Sequence, residues 1–292
     1  MTDMNIGELP LPREQVVRIV RMALEEDAPH GDLTSQAFVP ASAHAEAEVV
    51  AREAGVFSGA EVLRSVFAEI DEHIGVGCEV EDGEAFAAGA RLAVVRGPAR
   101  AVLRGERVAL NLLQRMCGIA TLTARYVAAA QQTAPRVRVV DTRKTTPGLR
   151  ILERHAVRCG GGHNHRFSLS EAVMAKDNHL ALVHNLTAAI QSARAQLPHT
   201  THIEVEVDRL DQIETVLAGG ADTIMLDNFS PEDLRRGVAL IDGRAIVEAS
   251  GGITLETISE VAATGVDVIS VGALTHSVRS LDLGLDLRLA QE

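Results

Sequence analysis

The sequence predicts an α/β protein built around parallel strands. Short β-branched runs end at a polar residue or a glycine, and each is followed by an amphipathic helical stretch. The last four runs end at Asp208, Asp227, Ser250 and Gly272, which are 19, 23 and 22 residues apart. Because the spacing is nearly constant and no G-x-G-x-x-G motif is present, a (β/α) barrel is favoured over an open sheet.

The first hundred residues mix helices and strands without a regular repeat. Apolar residues at helical spacing predict helices over Arg13–Asp27 and Gly59–Ile70. Alternating or β-branched runs predict strands over Ala45–Arg52, Cys78–Glu84 and Arg91–Arg96. This part of the chain therefore predicts a separate α/β domain.

The remainder predicts the domain organisation. A stretch without proline, Ala99–Gln132, predicts one or two helices that join two domains. The strands predicted after it cover Val137–Val140, His202–Val207, Thr223–Leu226, Ala245–Ala249 and Val266–Val271. Residues 281–289 alternate again and predict a strand that returns to the first domain. We therefore expect an N-terminal domain of residues 1–112, joined by residues 279–292, and a catalytic barrel of residues 113–278.

Composition excludes several classes of protein. Of the 292 residues, 46% are hydrophobic and 23% are charged, as in globular chains, and no apolar run reaches the roughly 18 residues that span a bilayer. The net charge of −12 repels nucleic acid and anionic membranes, and 2% aromatic residues leave few surfaces for base stacking. The three cysteines are widely spaced and the opening residues do not resemble a secretory signal, so we expect a cytoplasmic protein with a small-molecule partner.

Positive charge is concentrated in one segment. Residues 136–179 hold nine Lys and Arg against four Asp and Glu, a net +5, so the rest of the chain carries −17. The only two lysines, Lys144 and Lys176, lie in this segment, whereas the other 26 basic residues are arginines. This usage indicates that a compact ammonium is needed at both positions, as a point charge for a phosphate. A solvated basic helix face is the structural alternative for the segment.

Three motifs carry these cations. Residues 141–148 read DTRKTTPG directly after a strand, so Thr142, Arg143 and Lys144 suit a multivalent anion. Residues 159–166 read CGGGHNHR, where glycines allow close approach to a ligand and His165 and Arg166 supply donors. The third motif, KDNH at residues 176–179, also follows a strand-like run.

A set of carboxylates and glycines follows the later strands. Glu204 and Glu206 share one face of a strand, and Asp227 ends the next, so these carboxylates suit Mg²⁺ on a pyrophosphate or the hydroxyls of a ribose. Two further strand ends predict backbone N–H groups that cradle a phosphate, and these are Ser250, Gly251 and Gly252, and Val271, Gly272 and Ala273.

With these motifs in order along nearly the whole chain, the sequence closely resembles the quinolinate phosphoribosyltransferases. The resemblance begins at residues 26–35 and continues through Glu106, Arg107 and Asn111, DTRKTTPGLR at 141–150, GGGHNHR at 160–166, KDNH at 176–179, EVEV at 204–207, LDN at 226–228, SGG at 250–252 and VGA at 271–273. It implies an N-terminal α/β sandwich-like domain plus an incomplete (β/α) barrel of the type II phosphoribosyltransferase kind. It also implies a dimer or a multiple of dimers.

The resemblance further implies a reaction and roles for the site residues. Quinolinate and 5-phosphoribosyl-1-pyrophosphate would give nicotinate mononucleotide, pyrophosphate and CO₂ in NAD biosynthesis. Arg143, Arg166 and His165 would bind the quinolinate carboxylates, with Lys144 and Lys176 between quinolinate and the phosphates. Glu206 and Asp227 would face the ribose and Mg²⁺-pyrophosphate, and the loops at 250–252 and 271–273 would take the 5-phosphate. Arg107 would reach the site from the partner subunit, and residues 26–35 would serve as caps and turns.

Other functions fit parts of the same pattern. One is a paralogue on this scaffold with a different anionic acceptor, like proteins linked to molybdate uptake, although those lack the KDNH pattern of residues 176–179. A barrel lyase would use Lys176 as a Schiff base and would be trapped by borohydride. A metal hydrolase would use His163 and His165, which share a face of an extended strand, and would purify with stoichiometric zinc. A non-catalytic regulatory protein is a further alternative, but it would give the clustered basic residues no role.

Overall fold

The computed structural model describes residues 11–289 of the chain. The chain divides into two compact units. The first comprises Met1–Ala124, Thr145–Gly161 and Leu274–Glu292, and the second comprises Arg125–Lys144 and Gly162–Ala273. No helix within residues 11–289 combines the length and the apolar content that crossing a membrane requires.

The elements as far as the long helix are α1 (Arg13–Asp27), α2 (Leu33–Phe38), β1 (His44–Ala51), β2 (Gly55–Val56), α3 (Ala60–Ile70), β3 (Gly75–Cys78), β4 (Ala85–Phe86), β5 (Arg91–Pro98) and α4 (Ala99–Thr133). Those after it are β6 (Arg138–Val140), α5 (Arg150–Cys159), β7 (Val173–Ala175), α6 (Asp177–Leu180), α7 (Leu186–Gln196), β8 (Ile203–Val207), α8 (Ile213–Gly219), β9 (Thr223–Asp227), α9 (Pro231–Ile241), β10 (Ile246–Ser250), α10 (Ile258–Ala262), β11 (Val268–Ser270), α11 (Ala273–His276) and β12 (Leu283–Leu289).

The first unit is built on an antiparallel sheet of order β12-β1-β5-β3. The predicted C-terminal strand is confirmed, because β12 pairs with β1 along its whole length, from Ala45 opposite Leu289 to Ala51 opposite Leu283. Strand β1 buries alternate residues, including Ala45, Ala47 and Val49, against the core. Asp32 caps α2 by accepting the backbone N–H of Ser35 at 3.1 Å, as expected of the turn segment 26–35.

The strand predicted over Cys78–Glu84 is wrong, because β3 ends at Cys78 and a turn follows it. The carboxylate of Asp82 accepts the backbone N–H groups of Gly59 at 2.8 Å and Ala60 at 3.1 Å, and so caps the start of α3. Gly83 follows with φ +92°, a left-handed conformation that ends any extended run.

Residues 145–161 group with the first compact unit, so the compact units divide the chain differently from the predicted domains, whose bounds stay a prediction. The reason is close packing between α5 and α4. A Cβ at Gly160 would lie 2.4 Å from the carbonyl oxygen of Ala120, so only glycine allows this approach. Arg115 on α4 also donates from Nε and Nη2 to the buried carboxylate of Glu153 on α5, at 3.1 and 2.9 Å.

The second unit contains six parallel strands in the order β6-β11-β10-β9-β8-β7. Strands β7 to β11 pair in sequence order and β11 pairs with β6, which is the cyclic order of a barrel with the β6–β7 pairing left out. At that gap, the N–H of His163 donates to the carbonyl of Val139 at 2.8 Å, and the N–H of Asp141 donates to the carbonyl of His163 at 3.1 Å. The predicted fold, an α/β N-terminal domain with an incomplete barrel, is confirmed.

The buried ion pair between Arg115 and Glu153 makes a stability prediction. Glu153→Gln would leave a largely buried guanidinium uncompensated, so we expect a loss of about 3 kcal/mol in the free energy of unfolding. Urea denaturation of the full chain measures this loss. The matched control is Glu214→Gln, which removes the exposed pair with Arg244 and should leave stability unchanged. Equal losses in the two variants would contradict the importance of burial.

Candidate functional site

The carboxyl ends of the parallel strands bring the predicted motifs to one end of the second unit. Asp141 follows β6, Lys176 follows β7 and Asp208 follows β8. Asp227 and Ser250 are the last residues of β9 and β10. Because parallel strands end at the same edge of their sheet, residues far apart in sequence share one site.

A cavity of about 300 Å³ at this edge contains most of the predicted cations, and we call it the basic cavity. Its lining residues are Thr142, Arg143, Lys144, His165, Arg166, Met174, Lys176, Met225 and Ser270. The structure therefore brings Arg143, Lys144, Arg166 and Lys176 together, although they come from three separate motifs. The volume lies at the lower end of that of small-molecule sites.

The arginines of the basic cavity lie close enough to repel one another. Burial lowers the pKa of Arg166, and the positive charge of Arg143 lowers it further. The Arg166 guanidinium is held by a hydrogen bond from Nη1 to the carbonyl of Ala172 at 2.9 Å. Like charges held together in a partly buried cavity favour a bound anion, because an anion removes their repulsion.

The backbone around both lysines is fixed by neighbouring side chains. The hydroxyl of Thr142 accepts the N–H of Lys144 at 3.1 Å. In the KDNH motif, the Nδ1 atom of His179 accepts the N–H of Lys176 at 3.0 Å, which caps the short helix α6. The motif therefore sets the position from which Lys176 reaches the cavity.

A second cavity of about 550 Å³ has several carboxylates in its lining, and we call it the acidic cavity. It is lined by Asp177, Leu180, Ala181, Glu206, Asp208, Arg209, Gln212, Asp227 and Asn228. Lys176, which lines the basic cavity, forms an ion pair with Glu206, which lines the acidic cavity. The two cavities are therefore neighbours joined by one ion pair.

The carboxylates of Glu206 and Asp227 are oxygen ligands of the kind that Mg²⁺ prefers. Glu206 is paired with Lys176, and Asp227 accepts the side-chain N–H of Asn228 at 2.6 Å. Two carboxylates alone do not complete an octahedral site, so Mg²⁺ held here would also need waters or substrate phosphates.

His165 is anchored by two buried glutamates. Its Nε2 atom lies 3.2 Å from a carboxylate oxygen of Glu204 and 3.4 Å from one of Glu248. Burial alone lowers the pKa of His165, but hydrogen bonds and attraction to these two carboxylates outweigh it and raise the pKa. Burial also raises the pKa of Glu204, and the charge of Glu248 adds to that rise, although the hydrogen bond from His165 opposes it.

Glu248 was not among the site residues predicted from the sequence. An acidic residue within the apolar run Ala245–Ala249, two positions before Ser250, was the available signal, because alternation puts residues 248 and 250 on the same face. Asp141 was recognised only as a strand end. It is fully buried, and its carboxylate accepts the N–H of His165 at 2.8 Å and the side-chain N–H of Asn164 at 2.6 Å. It therefore holds the segment that carries His165.

The predicted phosphate loops adjoin the acidic cavity at one point. Gly251 has φ +92°, and a Cβ there would lie 2.2 Å from the side-chain oxygen of Asn228. Asn228 in turn donates its N–H to the carbonyl of Ser250 at 2.9 Å. Within residues 11–289, neither 250–252 nor 271–273 is part of the lining of the two cavities, so their phosphate role stays a prediction.

Arg107 and His163 are not part of the lining of either cavity. Arg107 is exposed on α4 in the first unit, with Glu106 at 3.9 Å as an ion-pair partner. His163 is exposed. In the described part of the chain, potential metal ligands within 4.8 Å of one another include His165 with Glu204 and Glu248, but not His163. The pairing of His163 with His165 in a zinc site is therefore not observed.

Comparison with known proteins agrees with this geometry. Residues 32–117 match the model of the quinolinate phosphoribosyl transferase N-terminal domain, and residues 119–286 match that of the C-terminal domain. The chain is 43% identical over 278 residues to the probable nicotinate-nucleotide pyrophosphorylase (carboxylating) of Bacillus subtilis, covering 95% of both chains. It is 45% identical over 277 residues to the corresponding protein of Mycobacterium leprae, covering 92% of this chain and 95% of that one.

A solved structure shows the same fold. The crystal structure of NadC from Streptococcus pyogenes superposes with a TM-score of 0.93 at 41% identity, covering 97% of this chain and all of that one. The two domain matches, the identities and the shared fold extend over nearly the whole sequence. The chain therefore belongs to the quinolinate phosphoribosyltransferase family.

Proposed function

We propose that this chain transfers the phosphoribosyl group of 5-phosphoribosyl-1-pyrophosphate to quinolinate and releases CO₂, as a pentosyltransferase of NAD biosynthesis. The observation that carries the proposal is the basic cavity joined to the acidic cavity through Lys176 and Glu206. The products are nicotinate mononucleotide, pyrophosphate and CO₂. The net charge of −12 argues against nucleic-acid or anionic-membrane partners, and the few, widely spaced cysteines favour a cytoplasmic enzyme.

Quinolinate is a flat dianion, and the basic cavity suits it in charge and in shape. Arg143 and Arg166 supply charge-assisted donors for its carboxylates. Met174 on β7 and Met225 on β9 supply apolar contact for the ring. With its carboxylates held, the ring nitrogen is positioned toward the sugar donor, which lowers the barrier by orientation.

The sugar donor belongs between the two cavities in this proposal. As the bond from ribose C1 to pyrophosphate breaks, C1 acquires positive charge, and in this proposal the carboxylates of Glu206 and Asp227 stabilise it. Lys144 and Lys176 stabilise the departing phosphates. The ring nitrogen then bonds to C1 and becomes cationic, so its charge stabilises the electron pair left on the adjacent ring carbon when the neighbouring carboxylate departs as CO₂. A proton from solvent then bonds to that carbon and gives the mononucleotide.

Mg²⁺ is the proposed cofactor, with Glu206 and Asp227 as its protein ligands directly or through water and pyrophosphate. When bound, it would neutralise negative charge on the leaving group. The proposal also includes a homodimer or a multiple of dimers in which Arg107 of one subunit completes the site of its partner. The exposed position of Arg107 supports this role, because an unburied arginine is available to a second chain.

The reaction itself is the first test. Purified protein with quinolinate, 5-phosphoribosyl-1-pyrophosphate and Mg²⁺ should release CO₂ and form the mononucleotide in equal amounts. Removal of Mg²⁺ with a chelator should abolish turnover, and added Mg²⁺ alone should restore it. Turnover that instead requires bound zinc, or a substrate trapped on Lys176 by borohydride, would support the hydrolase or lyase alternatives.

The two lysines give a second test. Lys144→Ala and Lys176→Ala should each reduce kcat/KM by about 10- to 150-fold, because each loses a charge-assisted contact of about 1.5–3 kcal/mol. Circular dichroism should show that both variants remain folded. The control is Arg236→Ala, which removes an exposed cation on α9 and should leave turnover intact. Near-normal turnover in both lysine variants would refute their assigned roles.

Mixed dimers test the role of Arg107. Arg107→Ala and Arg166→Ala should each be nearly inactive alone, but a mixture of the two unfolded and refolded together should recover about a quarter of the wild-type activity. Half of the mixed population is then heterodimeric, and each heterodimer keeps one intact site. Absence of any recovery would argue against a site shared between subunits.

A further inference from the structure

Glu204 and Glu248 form a buried pair next to His165, which lines the basic cavity. They come from β8 and β10, and only 4% and 3% of their surfaces are exposed. Both carboxylates approach the same atom, Nε2 of His165. Two buried carboxyl groups are thus directed at a single imidazole ring.

The other oxygen of each carboxylate has no hydrogen-bond partner within residues 11–289. The carboxylates are therefore not held in a wider polar network, and their shared contact is the His165 ring. Burying two carboxylates costs more free energy than one imidazole returns, so the pair is a poor means of stabilising the fold. A costly buried arrangement next to a binding cavity is better explained by function.

The other nitrogen of the ring contacts one of the residues that line the basic cavity. The Nδ1 atom of His165 accepts the backbone N–H of Arg166 at 2.7 Å. Arg166 lines the basic cavity with its guanidinium. The ring therefore lies between the glutamate pair and the peptide that carries Arg166, and its two nitrogens have protein partners on both sides.

We propose that Glu204 and Glu248 are positioning residues that hold the His165 ring and, through it, the Arg166 backbone in the orientation with which the basic cavity receives a substrate carboxylate. The glutamates do not line the cavity themselves, so they act only through the histidine. This inference rests on the proposed function. It assigns part of quinolinate recognition to the contact of the two glutamates with His165.

The test is a comparison of kinetic constants. Glu248→Gln keeps the shape of the side chain but removes its charge, so we expect the KM for quinolinate to rise about tenfold. The KM for the sugar donor should change by less than about twofold, because that substrate meets other groups. The matched control is Glu48→Gln, which changes an equally buried glutamate in the first unit, paired with Arg91 at 3.1 Å, and should leave both constants unchanged. Equal effects of Glu248→Gln on both KM values would overturn the proposal.

A double-mutant cycle tests the route through His165. In a His165→Gln background, Glu248→Gln should have no further effect on the KM for quinolinate, because the residue through which it acts is gone. Additive effects would overturn the proposal. Should the cycle variants fail to fold, NMR of ¹⁵N-histidine-labelled protein gives a second readout. The wild type should show a downfield, slowly exchanging Nε2 proton for His165, which Glu248→Gln shifts and Glu48→Gln does not.

The outcomes separate this inference from the proposed function. Wild-type protein without turnover on quinolinate would refute the proposed function, while the NMR comparison would still decide whether the glutamates hold the ring. Wild-type turnover with an unchanged His165 signal in Glu248→Gln would overturn the positioning role and leave the proposed function standing.

Discussion

Repulsion among the cations of the basic cavity is the constraint around which the second unit is organised. Arg143 and Arg166 lie close enough for the charge of one to lower the pKa of the other, and Lys144 and Lys176 line the same space. Such a cluster of like charges is electrostatically unfavourable without a bound anion, and the fold must maintain it when no substrate is bound. Carboxylates behind the cavity offset part of this repulsion. Glu206 pairs with Lys176, and Glu204 faces His165 together with another buried glutamate.

The parallel sheet explains how so many charges meet. Alternation along β8 puts Glu204 and Glu206 on one face, so one strand supplies both the anchor of His165 and the partner of Lys176. Strand ends then supply the remaining groups, with Asp141 holding the backbone of His165 from the end of β6. His165 and Lys176 are therefore both held by carboxylates of one strand, β8. A site of this kind needs little reorganisation when charge develops in the transition state.

The sequence predicts the periodic parts of this structure and misses the parts that depend on single tertiary contacts. Strand ends in the barrel and the return of β12 follow from hydrophobic patterns, which tertiary packing does not override. The turn at Asp82 depends on capping a helix that begins 22 residues earlier, which no local pattern reveals. The placement of residues 145–161 in the first unit likewise depends on Gly160 packing against α4. Glu248 could not be predicted because its role depends on a tertiary contact with His165, and a single acidic residue within an apolar strand does not indicate its partner.

The structure gives a physical reason why position 176 is a lysine and not an arginine. This side chain lines the basic cavity and also pairs with Glu206 of the acidic cavity. A guanidinium in the same place would form a planar, two-pronged pair with the carboxylate and would turn its donors away from a substrate. An ammonium has three donors around one compact charge, so it can keep Glu206 and still bind an anion on its other side. This geometry explains why Lys176, one of two lysines in a chain that otherwise uses arginine, is not an arginine.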